Sequence, residues 1–124
     1  MNNNDLKNKL KQLKIEDNIW IIYIIIIFLS WYSNSLERKY FIFNDLESKE
    51  KYRTIIILIF SILLIIYVYF FIDSLNGLND SKNKTDNTLA HLSSIASLLI
   101  VISGVIFLYI ALNDKDLSVE LAFN

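Results

Sequence analysis

Residues 89–112, LAHLSSIASLLIVISGVIFLYIAL, decide the fold. They include no Asp, Glu, Lys or Arg, and as a helix they would be about 36 Å long, enough to cross the hydrocarbon core of a bilayer. Lipid tails are as apolar as leucine, so membrane helices associate largely through close backbone approach, which small residues permit. Small residues recur here every seven positions. The residues predicted to form a helix–helix interface are Ala90, Ser93, Ser94, Ser97, Gly104 and Ala111.

Two more uncharged stretches, residues 18–36 and 54–72, are long enough to span a membrane. Both are rich in isoleucine and carry Tyr, Trp or Phe near their ends, as interfacial segments do. A lone strand in lipid would leave its backbone groups unpaired, so both are predicted to be helices. The chain is therefore predicted to be an all-α integral membrane protein, with three transmembrane helices forming one small bundle over residues 1–124.

The first 17 residues form a basic leader before the first span. Leu6, Leu10 and Leu13 share one face of a helix, which predicts a short amphipathic N-terminal helix. Such a helix could lie in the headgroup layer, or it could be a solvated leader that only helps to set the topology; both interpretations stay open. The residues predicted to meet the membrane surface are Lys7, Lys9, Lys11 and Lys14.

The second helix is predicted over residues 45–72, beginning about two turns before its span. Asn44-Asp45-Leu46-Glu47 resembles a capping box at a helix start. Glu47 and Lys51 are four residues apart with the acid first, which supports a helix. Within the span, the Ser61 hydroxyl is expected to bond to the carbonyl one turn earlier.

The remaining segments are polar. Residues 73–88 are predicted to be a loop, with Gly77 ending the second helix. Residues 113–124 are predicted to be a frayed tail, or else a short strand that adds to the edge of a partner's sheet. The candidate N-caps are Asn4 or Asp5 for the first helix, and Asp86, Asn87 or Thr88 for the third.

Little chemistry is visible in the sequence. There is no Gly-rich phosphate loop and no His/Cys metal motif, so no catalytic, cofactor-binding or metal-binding residue is predicted. No span has an Asp, Glu, Lys or Arg, whereas ion-coupled transporters and intramembrane hydrolases use such groups. His91 is a candidate pH-sensitive residue; the alternative is an interfacial histidine bonded to a loop carbonyl or a neighbouring hydroxyl.

These observations favour a non-enzymatic membrane protein that self-associates, or docks a membrane protein partner, through the small-residue face of the third helix. The first two helices are then expected at the periphery. One alternative is a holin-like oligomeric pore, in which Ser93, Ser97 and Gly104 would line water. Another is a bacteriocin-immunity-type membrane protector.

The predicted environment is a lipid bilayer. The net charge of −1 gives no general attraction to nucleic acid. Heavy use of Ile, Asn and Lys suggests an AT-rich genome and hence a bacterial inner membrane. The Lys and Arg counts on the two sides are equal at six each, but four lysines directly precede the first span. That position favours an N-terminus on the inside.

Overall fold

The computed structural model describes residues 2–79, 83–119 and 121. It has three helices, α1 (Asn3–Phe43), α2 (Leu46–Asn79) and α3 (Lys84–Asn113). Each is long and apolar enough to cross a membrane, and no strand occurs in the described part of the chain. The prediction of a small all-α bundle with three candidate transmembrane helices is confirmed.

Helix α1 differs from the prediction because it is not divided into a leader and a span. It continues without a break through residue 17, since no glycine or proline interrupts the sequence before Phe43. Its N-cap is Asn2, whose side chain accepts from the Asp5 N–H at 2.8 Å, and not Asn4 or Asp5. At 41 residues, the helix is about 60 Å long, twice the thickness of a hydrocarbon core.

The turn between α1 and α2 lies where the sequence predicts it, but Asp45, and not Asn44 as in a capping box, caps α2. Asn44 adopts a left-handed conformation (φ 53°) that ends α1. The Asp45 carboxylate then accepts from the Glu47 N–H at 3.2 Å and from the Ser48 hydroxyl at 2.8 Å, so it caps α2. The expected pair of Glu47 and Lys51 is present at 3.3 Å.

The polar segment predicted as a loop is mostly helical. Helix α2 runs to Asn79, so Gly77 lies inside it and does not cap it. Helix α3 begins early because the Asn83 side chain accepts from the Asp86 N–H at 2.7 Å, a role that the sequence assigned to residues 86–88. Polar residues outside a bilayer can extend a helix, provided that its free N–H groups are capped.

Helix α2 lies at the centre of the bundle. It packs against both α1 and α3, whereas no Cα atom of α1 comes within 8 Å of α3 in the described residues. Of the 18 most apolar consecutive residues of each helix, 28% are buried in α2, 22% in α1 and 11% in α3. The expectation that the second helix is peripheral is therefore wrong: its bulky residues fill the space between its neighbours.

The buried residues of all three helices follow a seven-residue repeat. In α1 it runs through Ile19, Ile26 and Ser33. In α2 the buried residues include Tyr52, Ile59 and Ile66 in one register and Ile56 and Leu63 in another. In α3 it includes Gly104 and Ala111. This repeat is typical of helices that pack side by side along a left-handed supercoil.

Gly104 lies at a close contact between α3 and α2. A Cβ atom added there would lie 3.1 Å from Tyr67 Cδ2 and 3.3 Å from Leu64 Cδ1. Even a methyl group would therefore press on two side chains of α2. The contact, and not the backbone conformation, favours glycine here, since Gly104 has an ordinary helical φ.

Replacing Gly104 by leucine should lower the free energy of unfolding by about 1–3 kcal/mol, because the added atoms overpack the α2–α3 contact. Gly77→Leu is the matched control: a Cβ there meets nothing within 4 Å, so this variant should retain wild-type stability or gain slightly from helix propensity. Denaturant unfolding in mild detergent compares the two, and equal stability of both variants would contradict the contact.

Candidate functional site

Three of the six small residues predicted to form an interface are buried against α2. They are Ser94, Gly104 and Ala111. The Ser94 hydroxyl donates to the Ser74 carbonyl of α2 at 3.3 Å, which anchors the first turns of α3. This part of the small-residue face therefore packs within the chain.

The other three residues lie at the rim of that contact. Ala90 and Ser97 are half-buried, and Ser93 is exposed. Ser93 and Ser97 line a cleft that opens between α1 and α3 over α2. Their hydroxyls have no hydrogen-bond partner within the described residues, whereas Ser61 bonds to the Ile57 carbonyl at 2.7 Å, as predicted.

A second face of α3 points away from the bundle and was not recognised from the sequence. We call it the outer seam; its residues are Leu92, Ala96, Leu99, Ser103 and Ile106. All five are exposed, and they are spaced by four and three residues in alternation, as on one side of a coiled coil. That spacing was available in the sequence, but the more regular repeat through Gly104 obscured it.

The cleft between α1 and α3, which we call the Asp73 cleft, has a volume of about 360 Å³. It extends from polar groups near the end of α2 to aromatic and aliphatic groups deeper along the helices. Its lining residues are Tyr23, Tyr67, Phe70, Asp73, Ser74, Ser93, Ser97 and Ile100. Three helices contribute to it, so it exists only in the folded chain.

The mouth of the Asp73 cleft is acidic. The Asp73 carboxylate accepts from the Gln12 side chain of α1 at 2.8 Å, which holds it in place between α1 and α2. No Lys, Arg or His nitrogen of the described residues lies within 4 Å of it. Glu16 lies one helical turn after Gln12 on α1, so it adds a second acidic side chain at this end of the bundle.

The predicted surface residues lie at the same end of the bundle. Lys7, Lys9, Lys11 and Lys14 are all exposed, and none forms an ion pair with a described acid. Their contact with lipid headgroups stays a prediction. His91 is also exposed, and its Nδ1 lies 2.8 Å from the Asn87 carbonyl. This resembles the alternative to a pH-sensitive role, an interfacial histidine bonded to a nearby carbonyl.

The tail is neither frayed nor a strand in its described part. The Asp114 carboxylate accepts from the Val119 N–H at 2.8 Å, and from the N–H and hydroxyl of Ser118 at 3.1 and 3.0 Å. This turn brings Leu121 into the core, where only 7% of it is exposed. The sequence shows the alternation of apolar residues, but it does not show that the Asp114 carboxylate folds the segment back.

The docked tail closes a second cavity of about 190 Å³ at the opposite end of the bundle from the Asp73 cleft. Arg53 extends from α2 beneath the tail and donates to the Leu112 carbonyl at 3.3 Å. Glu37 and Asp114 also line this cavity. In the described part of the chain, no group of three or more His, Asp or Glu residues could hold a metal ion.

Removing the carboxylate in Asp114→Ala should release the tail, because three donors would lose their acceptor. Amide hydrogen exchange at Ser118 and Val119 should then accelerate about tenfold. Asp116→Ala is the matched control, since Asp116 is exposed and makes only a 3.7 Å pair with Lys49. Equal exchange in both variants would contradict the proposed turn.

Docking of the tail should also depend on pH. The Val119 N–H holds the pKa of Asp114 below its usual value, with smaller contributions from Ser118 and Arg53 and against the opposing effect of partial burial. Because the folded pKa is lowered, the stabilisation is present above about pH 4 and is lost as the pH falls through the folded pKa. Titration of the Val119 amide by NMR should show this loss, and Asp114→Ala should abolish it.

No protein family matches the chain, and no curated protein or solved structure is detectably similar to it. Function is therefore inferred from the geometry and chemistry of the chain itself.

Proposed function

We propose that this protein is a non-enzymatic, multi-spanning membrane protein that self-associates through the outer seam of α3. The supporting observation is the exposure of this seam on the least buried of the three helices. Its four-three spacing matches the seven-residue repeat by which the helices pack on one another inside the chain. A second copy of α3 would extend the same mode of packing.

Because the outer seam contains small residues, it is better suited to contact with another helix than to contact with lipid. Large apolar side chains are equally well solvated by lipid tails, so they give no reason for association. Ala96 and Ser103 lie one repeat apart and would let a second backbone approach closely. The Ser103 hydroxyl has no hydrogen-bond partner among the described residues, and a bond across a helix pair contributes about 0.6 kcal/mol on average.

A second copy of the chain is the best-suited partner for this seam. A hydroxyl both donates and accepts, so two Ser103 residues related by a two-fold axis can satisfy each other. The buried part of the small-residue face is already occupied, since Gly104 packs on Tyr67 and Leu64. Self-association is therefore assigned to the outer seam and not to Gly104.

The environment proposed for this assembly is a bacterial inner membrane, with the N-terminus inside. The amino-acid usage and the four lysines ahead of the first span support it. A holin-like pore has weaker support, because the polar lining of the Asp73 cleft gives way to Phe70 and Ile100 at depth. An immunity-type protector has no feature of the fold in its favour.

Single-cysteine crosslinking tests the seam, because the chain has no cysteine of its own. In purified protein reconstituted into vesicles, Ser103→Cys and Ala96→Cys should form disulfide-linked dimers on oxidation. Val105→Cys is the matched control: Val105 is also exposed and at a similar depth but lies on another side of α3. Its dimer yield should be at least several-fold lower.

Two outcomes would overturn the proposal. Ser103→Cys could remain monomeric even at high protein-to-lipid ratios, or all three variants could crosslink equally, as random collision would produce. A monomer in the absence of other proteins would leave the seam as lipid-facing surface. Gly104→Leu is unsuitable for this test because it damages the α2–α3 contact within each chain.

A further inference from the structure

We propose that the Asp73 cleft binds the primary ammonium headgroup of a zwitterionic lipid, phosphatidylethanolamine. This proposal is independent of self-association, because the cleft opens between α1 and α3 and does not include the outer seam. It rests on a carboxylate with no cationic partner among the described residues, on two hydroxyls with no hydrogen-bond partner among them, and on the change in polarity along the cleft.

The carboxylate supplies the charge that an ammonium group requires. Asp73 is fixed by the Gln12 amide at 2.8 Å, and this bond occupies only one of its acceptor sites. No described cationic side chain pairs with it. A carboxylate at the edge of a low-dielectric region attracts a cation much more strongly than one in water, and Glu16 adds negative charge nearby.

The hydroxyls supply further acceptors at the right place. Ser93 and Ser97 lie one helical turn apart on α3 and line the same cleft as Asp73. A primary ammonium group has three N–H donors, which is as many as the carboxylate and the two hydroxyls require. A quaternary ammonium group has no N–H donor, which makes this arrangement selective for a primary amine.

The gradient of polarity along the cleft points to a lipid and not to a free amine. Asp73 follows directly on the last residue of the apolar stretch of α2, at headgroup level. Tyr67 and Phe70 lie further in and offer aromatic faces, which attract cations and pack against the glycerol region. Ile100 adds apolar surface, where the first part of an acyl chain would lie. A volume of about 360 Å³ accommodates a headgroup but not the chains.

Native mass spectrometry of the detergent-solubilised protein tests the site. With equal amounts of phosphatidylethanolamine, phosphatidylcholine and phosphatidylglycerol added, the ethanolamine lipid should be retained about tenfold more than either competitor. Asp73→Asn keeps an oxygen that can accept from Gln12 but removes the charge, so it should abolish this preference. Asp17→Asn is the matched control, because Asp17 is exposed, lies five residues after Gln12 on α1 and does not line the cleft.

The hydroxyls are tested by the double variant Ser93→Ala with Ser97→Ala. It should reduce discrimination between ethanolamine and choline headgroups while leaving the preference for phosphatidylcholine over phosphatidylglycerol, which the carboxylate charge sets, unchanged. Free ethanolamine, added in excess, should displace little lipid; complete displacement would show that the site takes a soluble amine. That outcome would overturn the assignment to a lipid.

Other results would overturn the proposal altogether. Equal retention of the three lipids, or retention that does not change in Asp73→Asn, would show that the carboxylate binds no headgroup. Loss of the protein dimer in Asp73→Asn, with unchanged lipid retention, would show that a lysine of a second copy occupies the cleft. Circular dichroism of each variant separates these outcomes from a failure to fold.

Discussion

The bundle depends on the contact between α2 and its two neighbours. In a bilayer the hydrophobic effect does not drive one helix against another, because lipid and leucine are equally apolar. Association then requires surfaces that fit better on each other than on lipid. Helix α2 meets this requirement on two sides, and Gly104 lets α3 approach to within a few ångströms of Tyr67 and Leu64. The remaining features, the cleft and the docked tail, are positioned by these two contacts.

Hydropathy predicts which segments enter the membrane, but it does not predict which helix lies in the middle. The reason is visible in α1, where buried Ile26 and exposed Ile24 and Ile25 are the same residue type. A seam between isoleucines cannot be distinguished from a lipid-facing surface by composition. In α3 the face that packs on α2 could be recognised because its glycine, alanine and serine contrast with their large neighbours. The sequence therefore drew attention to α3, although α2 has the larger share of buried residues.

Some local interactions were predictable, although the N-caps of α1 and α3 and the end of α2 were not. The cap at Asp45, the pair of Glu47 with Lys51 and the back-bonded Ser61 each involve residues within four positions of one another. The candidate site shows the opposite case. Ser93 could be chosen from the sequence, but Asp73 and Ser74, which line the cleft with it, come from α2, and Gln12, which holds Asp73 in place, comes from α1. The end of α3 is held likewise by Arg53, which is 59 positions from Leu112.

Because the buried residues of α3 repeat every seven positions, the hydrogen bonds at its two ends are needed to fix its register. A helix whose contact surface repeats every seven residues could slide along its neighbour by about 10 Å and meet a similar surface again. Hydrogen bonds at both ends fix one register: Ser94 bonds to the Ser74 carbonyl near the start of α3, and Arg53 bonds to the Leu112 carbonyl near its end. A slide would break both bonds and draw Leu121 out of the core. The polar groups near the two membrane surfaces thus set the vertical position of a helix whose apolar contact alone would leave it free to slip.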